Sequence, residues 1–496
     1  MLLASSKRLL TVAVCVLSCL GGLANAGPID NPSIVNTSLP GNQAIAGLSS
    51  LVASGNGEKL LHWMDYPAAT GYVQRISSAG VLSPTKMAVP VYSYGISTDR
   101  VGNFTVTSAN ANITLYDRNG NIRTSSFRPH LNASSALTSM DADGNLSIFY
   151  STSVNQTSAL ALRRFTAAGI PLGNETQVLA PIANTVSVNT MVSDAAGNIT
   201  VSWIVVNNSS SNNLALYMQR FNSQAQPITS PTIIPSTLPG ARDGGVLATS
   251  PQGSFVIAWN STQDGLTWDS YVLRFNASGY AVGSPIRLNQ TTQQSSPQAH
   301  VSMTEDGSFV ATWRMQATPP ATGYILYARQ FMSDGTPIGN EFQVDPGFAN
   351  VFYANSAIDK AGNFTIAWTA ANQPVSDYDV KMRSYKLDTQ PAITSLTNGQ
   401  PAQGLAGGTG SWKYFKITVP PGATQMNVSM AGPSGGDGDM YIRFGGLPSA
   451  TAWDIRPYVN GSNEVANINN PPPGDFYIAI YGYAAYSGVS LNVSYY

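Results

Sequence analysis

One short pattern returns seven times in this chain, and it limits the fold more than any other feature. Its clearest copy is "AIDKAGNFTIAW" (357–368), a turn running into an alternating, half-buried strand. Related stretches are "MVSDAAGNITVSW", ending at Trp203, "LATSPQGSFVIAW", at Trp259, and "SMTEDGSFVATW", at Trp313. Aligned on the turn glycine, the copies sit at Gly57, Gly102, Gly144, Gly197, Gly253, Gly307 and Gly362. Successive spacings are 45, 42, 53, 56, 54 and 55 residues. Six residues after the glycine stand Trp63, Ser108, Tyr150, Trp203, Trp259, Trp313 and Trp368, with Ser108 the departure. Three residues before it stand Ser54, Asp99, Asp141, Asp194, Ser250, Thr304 and Asp359. Each of these side chains is expected to accept a hydrogen bond from the backbone two residues on, while the glycine takes positive φ.

A second strand pattern follows each Trp position, as in "LALRRFTAAG" (160–169) and "YILYARQFMSDG" (324–335), and a short fourth strand such as "EFQV" (341–344) comes next. Four antiparallel strands, A to D, in each of seven copies predict an all-β chain, a seven-bladed β-propeller. The residue closing strand B is expected to pack between blades. The seventh copy stops after its third strand, "DVKMRSYKLD" (379–388), while a spare strand, "PSIVNTS" (32–38), precedes the first copy. Lending it to the last blade would close the ring and hide two sheet edges. An open β-solenoid or a string of small sandwiches is the alternative.

The start, "MLLASSKRLLTVAVCVLSCLGGLANA", has a basic beginning (Lys7, Arg8), an apolar run (9–17) and a small-residue site at Ala24-Asn25-Ala26. It reads as a secretory signal peptide over 1–26, its apolar run too short for a membrane anchor. Its removal takes away both cysteines, Cys15 and Cys19, and leaves 23 basic against 26 acidic residues. "VLSC" offers lipoprotein cleavage at Cys19 as the competing reading. Charged residues make up only 10% of the chain, against about 25% in an average globular protein. With a formal charge of −1, nothing basic invites nucleic acid.

The expected domains are the propeller at 27–388, a linker at 389–395 and a small β-sandwich at 396–496. The last segment alternates cleanly in "WKYFKITV", "QMNVSM", "MYIRF", "DFYIAIYGY" and "VSLNVSY". Through "GSWKYFKITVP", "GDGDMYIRFG", "WDIRPYVNGSNE" and "PPGDFYIAIYGYAAYSGVSL" it closely resembles the bacterial pre-peptidase C-terminal (PPC) domain. The resemblance implies export, in some members a hold on an insoluble substrate or removal during maturation, and no catalysis by the domain itself. Many members carry a cysteine pair where this chain has Ile455 and Ala466. Asp437 and Asp439 are the candidate calcium ligands, as in some relatives, or merely shape the turn before "MYIRF". Trp453, Tyr458, Tyr481, Tyr483 and Tyr486 are candidates for a binding face or for core. No other cofactor is expected.

Catalytic signatures are missing. The chain has no His-Glu-x-x-His and no Gly-x-Ser-x-Gly nucleophile elbow, its one such spelling, "GPSGG" (432–436), being a Gly/Pro-rich turn between strand patterns of the C-terminal segment, and its three histidines, His62, His130 and His300, share no spacing. His62, beside Trp63, is expected to be packed. "DADGN" (141–145) lacks the remaining ligands of an EF-hand. In such a meander the A–B and C–D turns share one end and the variable B–C and D–A loops the other, where binding is expected. Blade five stands out: Trp268 is off the repeat pattern, with Asp264 and Asp269 beside it. The function expected is a secreted, monomeric, non-catalytic protein whose variable-loop face engages an extracellular polysaccharide or protein surface. A glycoside hydrolase or polysaccharide lyase with carboxylates gathered across space, or a peptidase-associated envelope protein, is the alternative.

Overall fold

The computed structural model describes residues 28–29, 31–36, 41–45, 47, 49–90, 92–141, 143–206, 214–234, 242–262, 267–290, 298–317, 323–346, 350–371, 377–386, 393–449, 453–457 and 459–496. Residues 1–27, with Cys15 and Cys19, and the candidate residues Asp264 and Tyr458 lie outside them. Two compact units emerge, the repeats and a C-terminal unit beginning at Ile393.

The repeats form seven antiparallel sheets of four or five strands, running in sequence order from centre to rim in blades 2 to 6. Blade 3 is representative: Ala133–Met140, Leu146–Val154, Thr157–Phe165 and Pro171–Ile182. The innermost strands touch in cyclic order, from Leu51–Ala53 of blade 1 round to Val351–Ile358 of blade 7 and back. Blade 7 takes its outer strand from the chain start: Ser33–Ile34 pairs antiparallel with Tyr378–Lys386, Ser33 opposite Met382. The predicted propeller and its closing strand are therefore both present.

The turn chemistry is visible in the hydrogen bonds. Asp99 Oδ1 accepts from Val101 N at 3.0 Å and Asn103 N at 2.9 Å. Asp141, Asp194 and Asp359 repeat the arrangement, and all seven turn glycines have positive φ. The hydroxyl copies differ from expectation. Ser54 and Thr304 donate to the carbonyls of Glu58 and Ser308, and Asn56 and Asp306 accept the backbone N–H instead. A hydroxyl has a proton to give where a carboxylate has none.

Trp63, Tyr150, Trp203, Trp259, Trp313 and Trp368 are all fully buried, each in the apolar layer of its blade seam. Arginines of strand C stitch blades 1, 3 and 4 to the blade that follows: Arg75 to Gly102 O at 2.9 Å, Arg164 to Ser223 O, and Arg220 to Gly253 O at 2.9 Å.

The C-terminal unit is a two-sheet sandwich. One sheet holds Ile393–Ser395, Trp412–Val419, Gly474–Ala484 and Asp437–Phe444; the other holds Ala402–Gly407, Tyr486–Tyr495, Gln425–Ala431 and Glu464–Asn469. Ile393–Ser395, inside the segment read as linker, pairs parallel with Trp412–Val419. Ala466 is buried in the apolar core and Ile455 packs against that core.

Candidate functional site

The innermost strands surround a central channel rich in hydroxyls. Ser97, Thr105 and Thr138 bond across blades 2 and 3 at 2.7–3.0 Å, and Ser302 bonds Ser356 across blades 6 and 7 at 3.1 Å. At the turn end the Asp side chains are consumed by their turns and by ion pairs. Lys59–Asp359 (2.9 Å) and Arg220–Asp194 (2.6 Å) are buried.

The opposite end, where the variable loops lie, is built differently. There the ladders of the innermost strands are interrupted by β-bulges in five blades. A bulge leaves one residue unpaired and re-aims its side chain. Tyr94, Asn189 and Gly245 fall in the bulges of blades 2, 4 and 5, each eight residues before its turn glycine. In blade 7 the bulge spans Phe352 and Tyr353.

These irregular strand starts frame a cavity of about 300 Å³, at the lower end of ligand-pocket sizes. Asn189, Asn260, Gln298, His300, Tyr353 and Asn355 supply its polar lining. The amides are held in place. Asn355 accepts from Ser50 N (3.0 Å) and donates to Gly47 O (3.2 Å), joining blades 7 and 1. Asn260 accepts from Ser270 Oγ (2.9 Å) and Ala299 N (3.2 Å), joining blades 5 and 6. His300 Nδ1 lies 3.2 Å from Ser356 Oγ. Gly47 has φ +80°, and a Cβ there would lie 2.0 Å from the Tyr94 carbonyl oxygen, so only glycine allows this approach at the rim.

Four tyrosines gather beside the cavity. Tyr66, Tyr92, Tyr94 and Tyr353 are each about half exposed, at 45–54%. Burial, then the neighbouring phenols of Tyr353, Tyr92 and Tyr94, raise the Tyr66 pKa above its ordinary value. Tyr92 has φ 60°, an outlying conformation for a bulky residue, and its carbonyl is held by Ala109 N at 3.1 Å. Beyond them Tyr378 meets Phe352 edge-on at 4.9 Å, and Arg314 stacks on Tyr324 at 4.3 Å.

The blade-five candidates are arranged otherwise. Trp268 and Asp269 are consecutive in one strand and face opposite ways. Asp269 is taken by Arg287 (2.8 Å) and Asn289 (2.8 Å), and neither it nor Trp268 lines the cavity. The mouth residues escaped notice because they share no motif; the usable signal was Tyr92, Tyr94 and Tyr353, aromatics off the repeat pattern just before or within the start of strand A.

Residues 413–482 match the family model for the bacterial pre-peptidase C-terminal domain. The C-terminal unit is a PPC domain. A relative, alkaline serine exoprotease A of Vibrio alginolyticus, is 41% identical over 100 residues, covering 20% of this chain and 18% of that protein. The chain thus spans less than a fifth of that relative's length. A solved structure of vEP C-ter 100 is 36% identical and covers 21% of this chain and 99% of its own, with a TM-score of 0.19. A polysaccharide lyase, Uly1, covers 70% of this chain and 91% of its own at 9% identity, with a TM-score of 0.46.

Within the PPC domain, Asp439 is buried and paired with Arg456 at 3.1 Å, and Asp437 accepts from Gly461 N at 3.2 Å. Glu464, 2% exposed, accepts from Met440 N at 2.6 Å. Burial outweighs that bond and, with the charges of Asp439 and Asp437, pushes its pKa up to about 7. Among the described residues no group of three His, Cys, Asp or Glu side chains is disposed to hold a metal ion. Tyr486 is core, and Tyr481 packs on Trp412 at 4.9 Å. Trp453 (45% exposed) and Tyr483 (60%) face solvent. No helix among the described residues is long and apolar enough to cross a membrane.

Proposed function

We propose that this is an exported, non-catalytic binding protein whose propeller mouth takes up a polysaccharide, with the PPC domain as an accessory module. One observation carries the reading: four half-exposed tyrosines stand beside an amide-lined cavity that has no carboxylate among its described lining residues. Flat aromatic rings suit the apolar faces of sugars, and fixed amides suit their hydroxyls. Hydrolysis of a glycosidic bond needs two carboxyl groups across the scissile bond, about 5–9.5 Å apart. Their absence from the described lining supports binding over hydrolysis. The proteolytic function named for the matched relative does not come to this chain with the matched segment, which covers only 18% of that protein.

The test is a pull-down of the purified protein on insoluble cellulose, chitin, collagen and bacterial cell wall, with mass spectrometry of the supernatant. The reading expects retention on a polysaccharide, no released fragments, and loss of retention in Tyr66→Ala/Tyr353→Ala. Released fragments would make the protein an enzyme, and retention on collagen alone would make the partner a protein.

A further inference from the structure

We infer that the glycan taken up at the propeller mouth is an uncharged one; this rests on the polysaccharide reading and narrows it to a substrate class. The cavity lining contains no Asp, Glu, Lys or Arg among the described residues. Its polar groups are amides, one imidazole and one phenol, and the surrounding platform is phenolic. Such a site can exchange hydrogen bonds with hydroxyl and acetamido groups. Its described lining offers no cation to receive a uronate or a sulfate.

The Arg314 guanidinium does not fill that gap. Arg314 Nη1 donates to Phe352 O at 2.9 Å while its plane covers the Tyr324 ring at 4.3 Å. With the Gln298 amide oriented to satisfy both its ends, that side chain donates to Phe352 O at 3.2 Å and accepts from Arg314 Nη2 at 3.1 Å. Arg314 is thus a fixed part of the wall, and Gln298 stands between it and the cavity. An anionic sugar entering here would lose its hydration without gaining a counter-charge, which is unfavourable for any buried ion. A neutral sugar loses only hydroxyl hydration, and the amides replace it.

The class also fits the non-catalytic reading. Eliminative cleavage removes a proton made acidic by an adjacent carboxyl group, and a neutral sugar ring has no such proton. Selectivity for uncharged chains therefore rules out eliminative cleavage at this site.

Affinity electrophoresis of the whole protein in native gels tests the inference. One series of gels contains soluble neutral polymers, a β-glucan, a galactomannan and hydroxyethyl cellulose. The other contains alginate, polygalacturonate and chondroitin sulfate. The expected result is retardation by at least one neutral polymer and by no anionic one, with affinity falling about tenfold or more in Tyr353→Ala. Tyr353 is exposed, so the variant is expected to keep its circular dichroism spectrum and melting temperature. Retardation by an anionic polymer, relieved by salt and by Tyr353→Ala, would overturn the uncharged class and leave the mouth as a glycan site. Retardation that Tyr353→Ala and Tyr66→Ala both leave unchanged would place binding elsewhere and overturn the site. No retardation in either series, with no retention on the insoluble polysaccharides, would remove the polysaccharide reading itself.

Discussion

His62 shows how a single side chain sets the response to acid. It was expected to be packed, and it is fully buried in strand B of blade 1, with no hydrogen-bond partner for either ring nitrogen. Burial lowers its pKa from 6.5 to about 4. Below pH 6.5 the unfolded chain takes up a proton that the folded chain refuses until about pH 4. The folded state therefore loses stability as pH falls through this window, by about 3 kcal/mol in total for a shift of that size. Thermal melts between pH 7 and pH 4 are expected to show the loss, and His62→Met, of similar volume, is expected to remove that part of the slope. An unchanged slope in the variant would assign the acid sensitivity to other groups. Gly47 and Tyr92 make the complementary point: one needs a missing Cβ and the other holds a left-handed backbone, both at the mouth.

At the level of elements, the repeat does two jobs with one turn. Asp359 closes its hairpin through backbone N–H groups and also neutralises Lys59 of blade 1, both side chains being 1% exposed. Burial lowers the Lys59 pKa, and the bond to Asp359 opposes that shift. Asp359→Ala is expected to destabilise the protein by about 3–5 kcal/mol, since it strands a buried ammonium. Lys59→Met/Asp359→Asn is expected to cost clearly less, as the turn keeps an acceptor and no charge is left alone. Chemical denaturation of the two variants checks the order; equal losses would mean that the turn, and not the ion pair, carries the effect. The strand-B tryptophans do the same structural work in five blades. Blade 2, with Ser108 at that position, has Phe104 stacked on Tyr116 at 5.0 Å in the seam it shares with blade 1.

On the scale of the whole molecule, ring closure rests on a two-residue ladder strand supported by its flanks. Val35 N donates to Val380 O at 2.8 Å, and Asn36 bonds Gln43 and Asp379, each at 2.7 Å. Removing residues 28–36 is expected to expose the outer edge of Tyr378–Lys386, lower the melting temperature and produce aggregates on size-exclusion chromatography. A monomeric deletion variant with an unchanged melt would show that the ring holds without its closing strand. The two units are also expected to answer pH in opposite directions. Glu464 has its folded pKa raised from 4.5 to about 7, so its contribution is present below pH 4.5 and is lost as pH rises through 7. Calorimetry between pH 4.5 and pH 7.5 is expected to resolve a PPC transition that falls with pH. Glu464→Gln is expected to flatten it, and a slope that survives in this variant would refute the assignment.

The fold was legible because its signals are local and repeated. A glycine at positive φ, an acceptor three residues before it and a large residue six after it each act within one hairpin, so the sequence states them in order. The spare strand at 32–38 was legible for the same reason, as an excess at one end matching a deficit at the other. The site was not, because no hairpin contains it. Tyr66, Tyr94 and Tyr353 come from three blades, and bulges in strands that otherwise read as regular bring Tyr94 and Tyr353 to the mouth. Trp268 and Asp269 looked paired in sequence, yet the alternation of a strand separates them. The sequence by itself determined seven blades, their turns, the closing strand and the PPC module, all consequences of short-range backbone geometry and apolar periodicity. Only the tertiary structure decided which end of the channel presents tyrosines, which amides line it and which carboxylates are spent on ion pairs, since those depend on which blades become neighbours in the ring.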